Sequence, residues 1–565
     1  MLGVLPTALG FMRTGGRILV DNLLRQGVEL AFCVPGESYL PVLDALYDAR
    51  ERLRLIVCRQ EGGAAYMAEA YGKLTGRPGI VFVTRGPGAS NAAIGIHTAQ
   101  QDSTPLIAFI GQVGGNFVDR EAFQEIDYRR MYGSIAKWAA QIDRAERIPE
   151  YIARAFRVAL SGRPGPVVLA LPEDMLGASA ETADAARVEL VRVAPAPQQI
   201  ATLRGLLAAA KRPLVIAGGS GWTAEACGGL RRFAEANALP VACAFRSQDV
   251  FENAHAHYAG DVGIGINPKL AARVRDADVL LVIGERLGEM VTGGYTLLAV
   301  PQPKQSLIHV HPGAEELGRV YQPTVAIESS LPEFTAALAA MTPVAAAEWR
   351  GSAAQAHAEY IAWQTPRPMP GPLDLWEVVA TLRARLPEDA ILTNGAGNYT
   401  AWLHRLFRYR RYRSQVAPYS GAMGYGVPSA LAAKLVHPEC TVVSWNGDGC
   451  FLMNGQELAT AVQYGLAIVF VVLDNGMYGT IRMHQEREYP GRVYGTDLSN
   501  PDFAALARGY GAIGETVTRT GEFAAALDRA LASGRPALLH LRVDPQAITM
   551  NATIDEIRAA AMAVR

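Results

Sequence analysis

The sequence predicts an α/β protein built from three doubly wound, mostly parallel-sheet domains, and three observations carry that reading. Short apolar runs alternate with helical patterns in three successive groups along the chain. The runs are continuously apolar rather than alternating, as strands covered by helices on both faces should be. Two stretches, one rich in alanine and charge and one rich in proline, divide the groups. A chain of 565 residues has room for about three or four domains.

Taken in order, the first group places strands at 55–58, 79–84, 105–111 and 167–171. The second places them at 213–217, 240–244, 279–284 and 307–311, and the third at 390–393, 441–445, 468–473 and 537–543. The connecting stretch 178–197 is rich in alanine and charge. A second, 345–372, ends in a proline-rich run that should cross a surface in extended form. Boundaries near 185 and 360 follow, giving domains 1–185, 186–360 and 361–565.

Composition narrows the class. Half of the residues are hydrophobic and the net charge is −1, so neither a basic nucleic-acid surface nor an acidic disordered tail is expected. No run of 18 apolar residues suggests a membrane span. Residues 1–12 are mildly apolar but lack the leading positive charge of a secretory signal, and read as a frayed extension. The six cysteines form no Cys-x-x-Cys pair, which argues against zinc and against a disulfide framework and suits a reducing cytoplasm.

The most informative motif is Asn446-Gly447-Asp448-Gly449. Asp448 ends one apolar strand, and Asn475, 27 positions later, ends another. Two oxygen-bearing side chains at the carboxyl ends of neighbouring parallel strands can hold one hard cation, and the flanking glycines let backbone approach a phosphate. The plain alternative is a βαβ unit with polar strand ends. Glu61 follows an apolar strand and precedes the small residues Gly62-Gly63-Ala64-Ala65, where a carboxyl should be poorly solvated. It suits a proton-sharing role or, equally, a helix N-terminal acid stabilised by the dipole.

Five motifs, Gln60-Glu61-Gly62, Gly86-Pro87-Gly88, Phe123-Gln124-Glu125, Gly421-to-Gly426 and Gly447-Asp448-Gly449, occur in one order. In that order the chain resembles, over nearly its whole length, the acetolactate synthase-like group of thiamine diphosphate enzymes. The resemblance implies a pyrimidine-binding first domain, a central domain and a diphosphate-binding third domain. It makes Glu61 the residue that activates the aminopyrimidine. Met423 would be the apolar wedge that bends the cofactor, and Gly421 would accept from the pyrimidine amine. Asp448, Asn475 and the Met477 carbonyl would ligate Mg²⁺, while Gly449, Cys450, Gly397, Asn398 and Tyr399 would contact the diphosphate. The loop 394–399 lacks the Gln-His pair usual in the synthases. The resemblance also implies a homodimer or homotetramer in which the first domain of one subunit faces the third domain of another.

The implied reaction is decarboxylation of a 2-oxo acid, with or without ligation to a second carbonyl. Phe123 and Gln124 match the synthases' pocket, and Lys137 matches a lysine near its entrance, although a solvated surface lysine is the plainer reading. His97 stands where the synthases usually carry a small residue. It reads as a hydrogen-bonded core histidine, with a proton shuttle as the alternative. His484 falls where a tryptophan is typical. In the central domain Gly218-Gly219-Ser220-Gly221-Trp222 is an incomplete dinucleotide loop, and Arg286 matches an arginine of FAD-binding synthases, so FAD is a candidate cofactor beside thiamine diphosphate and Mg²⁺. The alternatives are an oxalyl-CoA-type or other 2-oxo acid decarboxylase, an aldehyde lyase, and, from another class, a flavin or nicotinamide oxidoreductase.

Overall fold

The computed structural model describes residues 12–345 and 348–564, so the N-terminal extension expected from sequence lies outside the described residues except for Met12. Three parallel sheets, each of six strands among the described residues, follow one another along the chain. The first runs Arg54–Val57, Leu30–Cys33, Gly79–Val83, Leu106–Gln112, Pro166–Pro172, Trp138–Gln141. The second runs Tyr258–Val262, Val241–Ala244, Pro213–Ala217, Val279–Ile283, Ser306–His311, Val325–Glu328. The third runs Gln415–Val416, Ile391–Asn394, Val442–Gly447, Ile468–Asp474, Ala537–Arg542, Ile513–Val517. A separate antiparallel pair joins Met12–Thr14 to Ser179–Glu181.

Every strand expected from sequence is present, with ends shifted by at most two residues. Six further strands of the three large sheets escaped, as did both strands of the antiparallel pair, and of those six all but Leu30–Cys33 lie at a sheet edge. The reason is physical: edge strands such as Trp138–Gln141 and Ile513–Val517 are only partly covered, so they carry polar residues and show no continuous apolar run.

The double winding is visible in the side chains. Along Pro213–Ala217, Val215 and Ala217 enter one hydrophobic core, while Leu214 and Ile216 enter another on the opposite face. Helices supply the covering stripes. Ile148–Leu160 buries Ile148, Ile152, Ala155, Phe156 and Ala159, a spacing that keeps them on one face.

The chain divides into two compact units, one ending at Val191 and the other, which holds the second and third sheets, beginning at Arg192. The segment that closes the first unit is pinned to the helix Gly15–Arg25 and its C-terminal cap. Asn22 accepts from Ala185 N–H at 2.9 Å, and Gln26 accepts from Val188 N–H at 2.9 Å and donates to Ala186 carbonyl at 3.0 Å. The stretch 345–372 is not only linker: the helix Ser352–Ala362 packs Tyr360 edge-on against Tyr258 of the central sheet, ring centroids 4.8 Å apart.

The C-terminal helix Ile554–Val564 packs on the helix Gly479–Glu488. Between them lies the buried Glu486, accepting from Arg558 Nε at 2.8 Å, Arg482 Nε at 3.1 Å and Gly491 N–H at 3.0 Å. Hydrogen bonds from Arg558 lead in holding this carboxyl down, to about 2 from an ordinary 4.5. A depressed acid contributes stability that is complete above about 4.5 and is lost as pH falls toward 2. Glu486→Gln should therefore lower stability by about 2 kcal/mol at pH 7 and flatten the acid limb of the Tm–pH curve. An unchanged acid limb would show that the cluster does not anchor the helix.

Candidate active site

The third sheet places its polar residues at the carboxyl ends of adjacent strands. Val442–Gly447 and Ile468–Asp474 are neighbours with Gly447 opposite Leu473, so Asp448 and Asn475 emerge side by side. Asp448 opens the short helix Asp448–Leu452. Its carboxylate accepts from Gly449 N–H at 2.8 Å, Gly476 N–H at 2.9 Å and Asn500 Nδ2 at 2.8 Å. Burial raises this carboxyl above its ordinary range, while the Gly449 and Asn500 donors oppose the rise. Asn475 Oδ1 accepts from Met477 N–H at 3.3 Å, and the Met477 carbonyl accepts from Gly479 N–H at 2.9 Å, which leaves one of its lone pairs.

These groups border a cavity of about 260 Å³ whose wall also includes Gly421, Met423 and Ile481. One carboxylate, one amide oxygen and one backbone carbonyl form a hard-oxygen donor set that suits Mg²⁺. A Cβ on Gly449 would stand 2.6 Å from the Tyr478 ring, so no side chain fits there and backbone alone faces the cavity. The residues fit an anionic cofactor held through a divalent cation.

The loop 394–399 is held differently from the simple set of contacts that the resemblance implies. Asn398 receives Thr480 Oγ1 at 3.1 Å, and its amide donates to Ile548 carbonyl at 3.2 Å. Tyr399 donates to Cys450 Sγ at 3.1 Å, and burial raises its phenol well above the ordinary value. Gly397, Asn398, Tyr399 and Cys450 all line the cavity, but Asn398, Tyr399 and Cys450 have side chains already paired within the protein.

Asn500, His540 and Arg542, not singled out in the sequence, stand behind Asp448 and Asp474. Asn500 Nδ2 bridges Asp448 and Asp474, at 2.8 and 2.7 Å. Asp474 also accepts from His540 Nε2 and Arg542 Nη1, each at 2.8 Å. Burial pushes Asp474 upward, yet His540, Asn500 and Arg542 together hold it below its ordinary value. One signal was available: His540 interrupts an otherwise apolar run, and a buried polar group in such a strand needs a partner. Asn500 sits in Ser499-Asn500-Pro501-Asp502, which looks like any turn. Asn500→Ala should free the Asp448 carboxylate and weaken Mg-dependent retention of thiamine diphosphate by about 10- to 100-fold. Equilibrium titration at fixed Mg²⁺ checks this, and unchanged affinity would remove Asn500 from the site.

In the first unit, Glu61 begins the helix Glu61–Thr75 directly after the capping Gln60, whose side chain accepts from Gly63 N–H at 3.0 Å. Glu61 Oε2 accepts from Asn91 Nδ2 at 3.0 Å, and Gly86 N–H donates to the Gln124 carbonyl at 3.0 Å. Gly88 lies beside Glu61 as well. The glycine loop thus meets both the glutamate and the Phe123-Gln124 segment. Solvation differs from expectation, because Glu61 is half-buried within its own unit. Phe123 is 73% exposed, and Gln124 takes a left-handed φ of 65°.

One expectation is corrected. His97 is not a core histidine: it projects from the exposed face of the helix Gly86–Asp102, whose buried face is lined by Ile96, Thr98 and Ala99. Lys137 precedes the edge strand Trp138–Gln141, at the opposite edge and opposite end of the sheet from Glu61, and donates to Ser161 carbonyl at 2.6 Å. Its side chain is exposed. His484 is exposed on the helix Gly479–Glu488, against Arg487. Among the cavity-lining residues of that helix are Thr480 and Ile481, not His484.

The central glycine loop is closely packed. Gly219 takes a φ of 73°, and a Cβ there would run into the Gly284 carbonyl. Trp222 is buried and donates to Gly218 carbonyl at 2.8 Å, which closes the turn on itself. Arg286 lies over the Tyr419 ring at 5.7 Å, and Tyr419 donates to the buried Glu285 at 2.9 Å.

Three doubly wound parallel sheets, the third carrying an oxygen donor set beside a glycine-flanked cavity, define the class as an α/β enzyme of the cofactor-binding kind. The chain belongs to the thiamine pyrophosphate enzymes. The family model for their N-terminal TPP binding domain matches residues 13–131, that for the central domain 200–338, and that for the C-terminal TPP binding domain 395–541. It is a thiamine diphosphate-dependent enzyme. Among similar proteins, the acetolactate synthase isozyme 2 large subunit of Escherichia coli is 33% identical over 94% of this chain and 95% of its own length. The acetolactate synthase large subunit of Corynebacterium glutamicum is 32% identical over 92% of this chain and 84% of its own. A probable acetolactate synthase large subunit of Methanocaldococcus jannaschii is 33% identical over 94% and 92%. Among the described residues, no helix is long and apolar enough to cross a membrane.

Proposed function

We propose that this enzyme catalyses Mg-dependent decarboxylation of a 2-oxo acid followed by carboligation, in the manner the names of its relatives indicate. The observation that carries the reading is the hard-oxygen set of Asp448, Asn475 and Met477 beside a cavity walled by Met423 and Gly421. When bound, thiamine diphosphate supplies a nucleophilic carbon and an electron sink for departing CO₂. In this proposal Asp448, Asn475 and the Met477 carbonyl hold Mg²⁺. Gly449 and Cys450, with Gly397, Asn398 and Tyr399, surround the diphosphate. Glu61 shares a proton with the pyrimidine ring, and Gly421 accepts from its amine. Phe123 and Gln124 face the substrate. The working domain limits are residues 185 and 360. The enzyme acts in the cytoplasm as a homodimer or homotetramer with sites shared between subunits, binding neither membrane nor nucleic acid.

Incubation with pyruvate tests the reaction. Acetolactate supports the proposal, whereas acetaldehyde without acetolactate supports the decarboxylase alternative and overturns carboligation. The exposed position of His484, away from the cavity, is the feature that keeps that alternative in play. Denaturing the purified protein and identifying the released molecules tests the cofactors together. Flavin in the extract would assign FAD to the central domain near Arg286; its absence would leave the loop 218–222 to packing. The closed turn at Gly218 and Trp222 does not favour an oxidoreductase.

A further inference from the structure

The third sheet has a second cluster, at its amino edge. His437 follows the helix Gly426–Val436, and Cys440 lies just ahead of the strand Val442–Gly447. Asp389 lies just ahead of the neighbouring strand Ile391–Asn394. The strands are parallel, so these starting ends lie side by side, a full strand length from Asp448. Glu439 Oε1 stands 3.5 Å from His437 Nδ1 and 3.5 Å from Cys440 Sγ, and Asp389 Oδ2 stands 3.8 Å from Cys440 Sγ. The ligating atoms of His437, Glu439 and Cys440 all lie within 4.8 Å of one another.

Four ligands at zinc distances around a tetrahedral centre sit about 3.3–3.8 Å apart. The separations of Glu439 from His437 and Cys440 fall there, and Asp389 reaches Cys440 at such a distance from the neighbouring strand. Sulfur, imidazole and carboxylate together select a borderline-soft ion over Mg²⁺. An entry path exists, since Asp389, His437 and Cys440 line a cavity of about 340 Å³. The same wall carries Arg410, Arg411 and Arg413, a field that opposes a bare cation. A divalent ion held by one thiolate, two carboxylates and one imidazole carries a net charge of −1, which Arg411, 3.8 Å from Asp389, can accept.

We propose that Asp389, His437, Glu439 and Cys440 form a structural site for a zinc-type divalent ion, separate from the cofactor's Mg²⁺. As the Sγ–metal bond forms, the Cys440 thiol proton leaves to solvent, and no oxidant or reductant is needed. The ion would clip the start of the strand that ends at Asp448 to its neighbour.

Cobalt(II) titration of the full-length, metal-stripped protein without thiamine diphosphate tests this. The expected result is a near-ultraviolet sulfur-to-cobalt charge-transfer band with the intense visible bands of four-coordinate cobalt, saturating at one equivalent. Cys440→Ser should abolish the charge-transfer band, while Cys450→Ser and Asp448→Ala should retain it. No charge-transfer band in the wild type, or one that survives in Cys440→Ser, would overturn the site. If Cys440→Ser does not fold, His437→Gln replaces it. It should weaken cobalt binding by at least about tenfold and cancel a zinc-dependent rise in Tm, and wild-type values in both would equally overturn the proposal.

Discussion

Glu61→Gln is expected to leave thiamine diphosphate affinity nearly unchanged while proton exchange at the cofactor's reactive carbon slows by about 10²- to 10⁴-fold. The amide keeps the shape and the acceptor that Asn91 uses at 3.0 Å, so the helix start and the glycine loop should hold. What it loses is an exchangeable carboxyl proton, the one property that the proposed role requires. Quenched-flow deuterium exchange read by NMR separates this from a structural role, because a merely structural glutamate would change affinity or Tm and not the exchange rate. Exchange at the wild-type rate would remove Glu61 from the chemistry.

Asp448→Ala carries the second large effect, on retention rather than on chemistry. The carboxylate is the sole anion of the donor set and the acceptor for Gly449, Gly476 and Asn500. Its loss should weaken Mg-dependent cofactor binding by at least about 100-fold, beyond what loss of a supporting residue costs. Cofactor retained through gel filtration at wild-type occupancy would sink the assignment. The two variants also test the shared site. If Glu61 and Asp448 work together across subunits, co-assembly of the two inactive chains creates one site with both residues intact, and activity returns. If each site lies within one chain, every site carries a defect and mixing restores nothing.

Much of this architecture could be read before any coordinates. Interior strands announce themselves because a strand covered on both faces is apolar along its length, as in residues 468–473. Edge strands do not, because one side meets solvent or loops and tolerates residues such as Glu515 within Ile513–Val517. Asp448 and Asn475 stood out for a related reason: each follows within three residues of an apolar run, and the parallel register sets those strand ends side by side. The exposure of His97 was not legible because a helix face is not encoded in local spacing alone.

The sequence by itself determined the three parallel-sheet layers, the cofactor class and the placing of Asp448 and Asn475 at neighbouring strand ends, since strand periodicity and the strand-to-turn transitions are local properties of the chain. Only the tertiary structure brought Asn500 and His540 up behind Asp448 and Asp474, and set Asp389 beside Cys440. Those are meetings between residues 26 to 66 positions apart, and no spacing rule reports which distant side chains a folded sheet will bring within hydrogen-bonding reach.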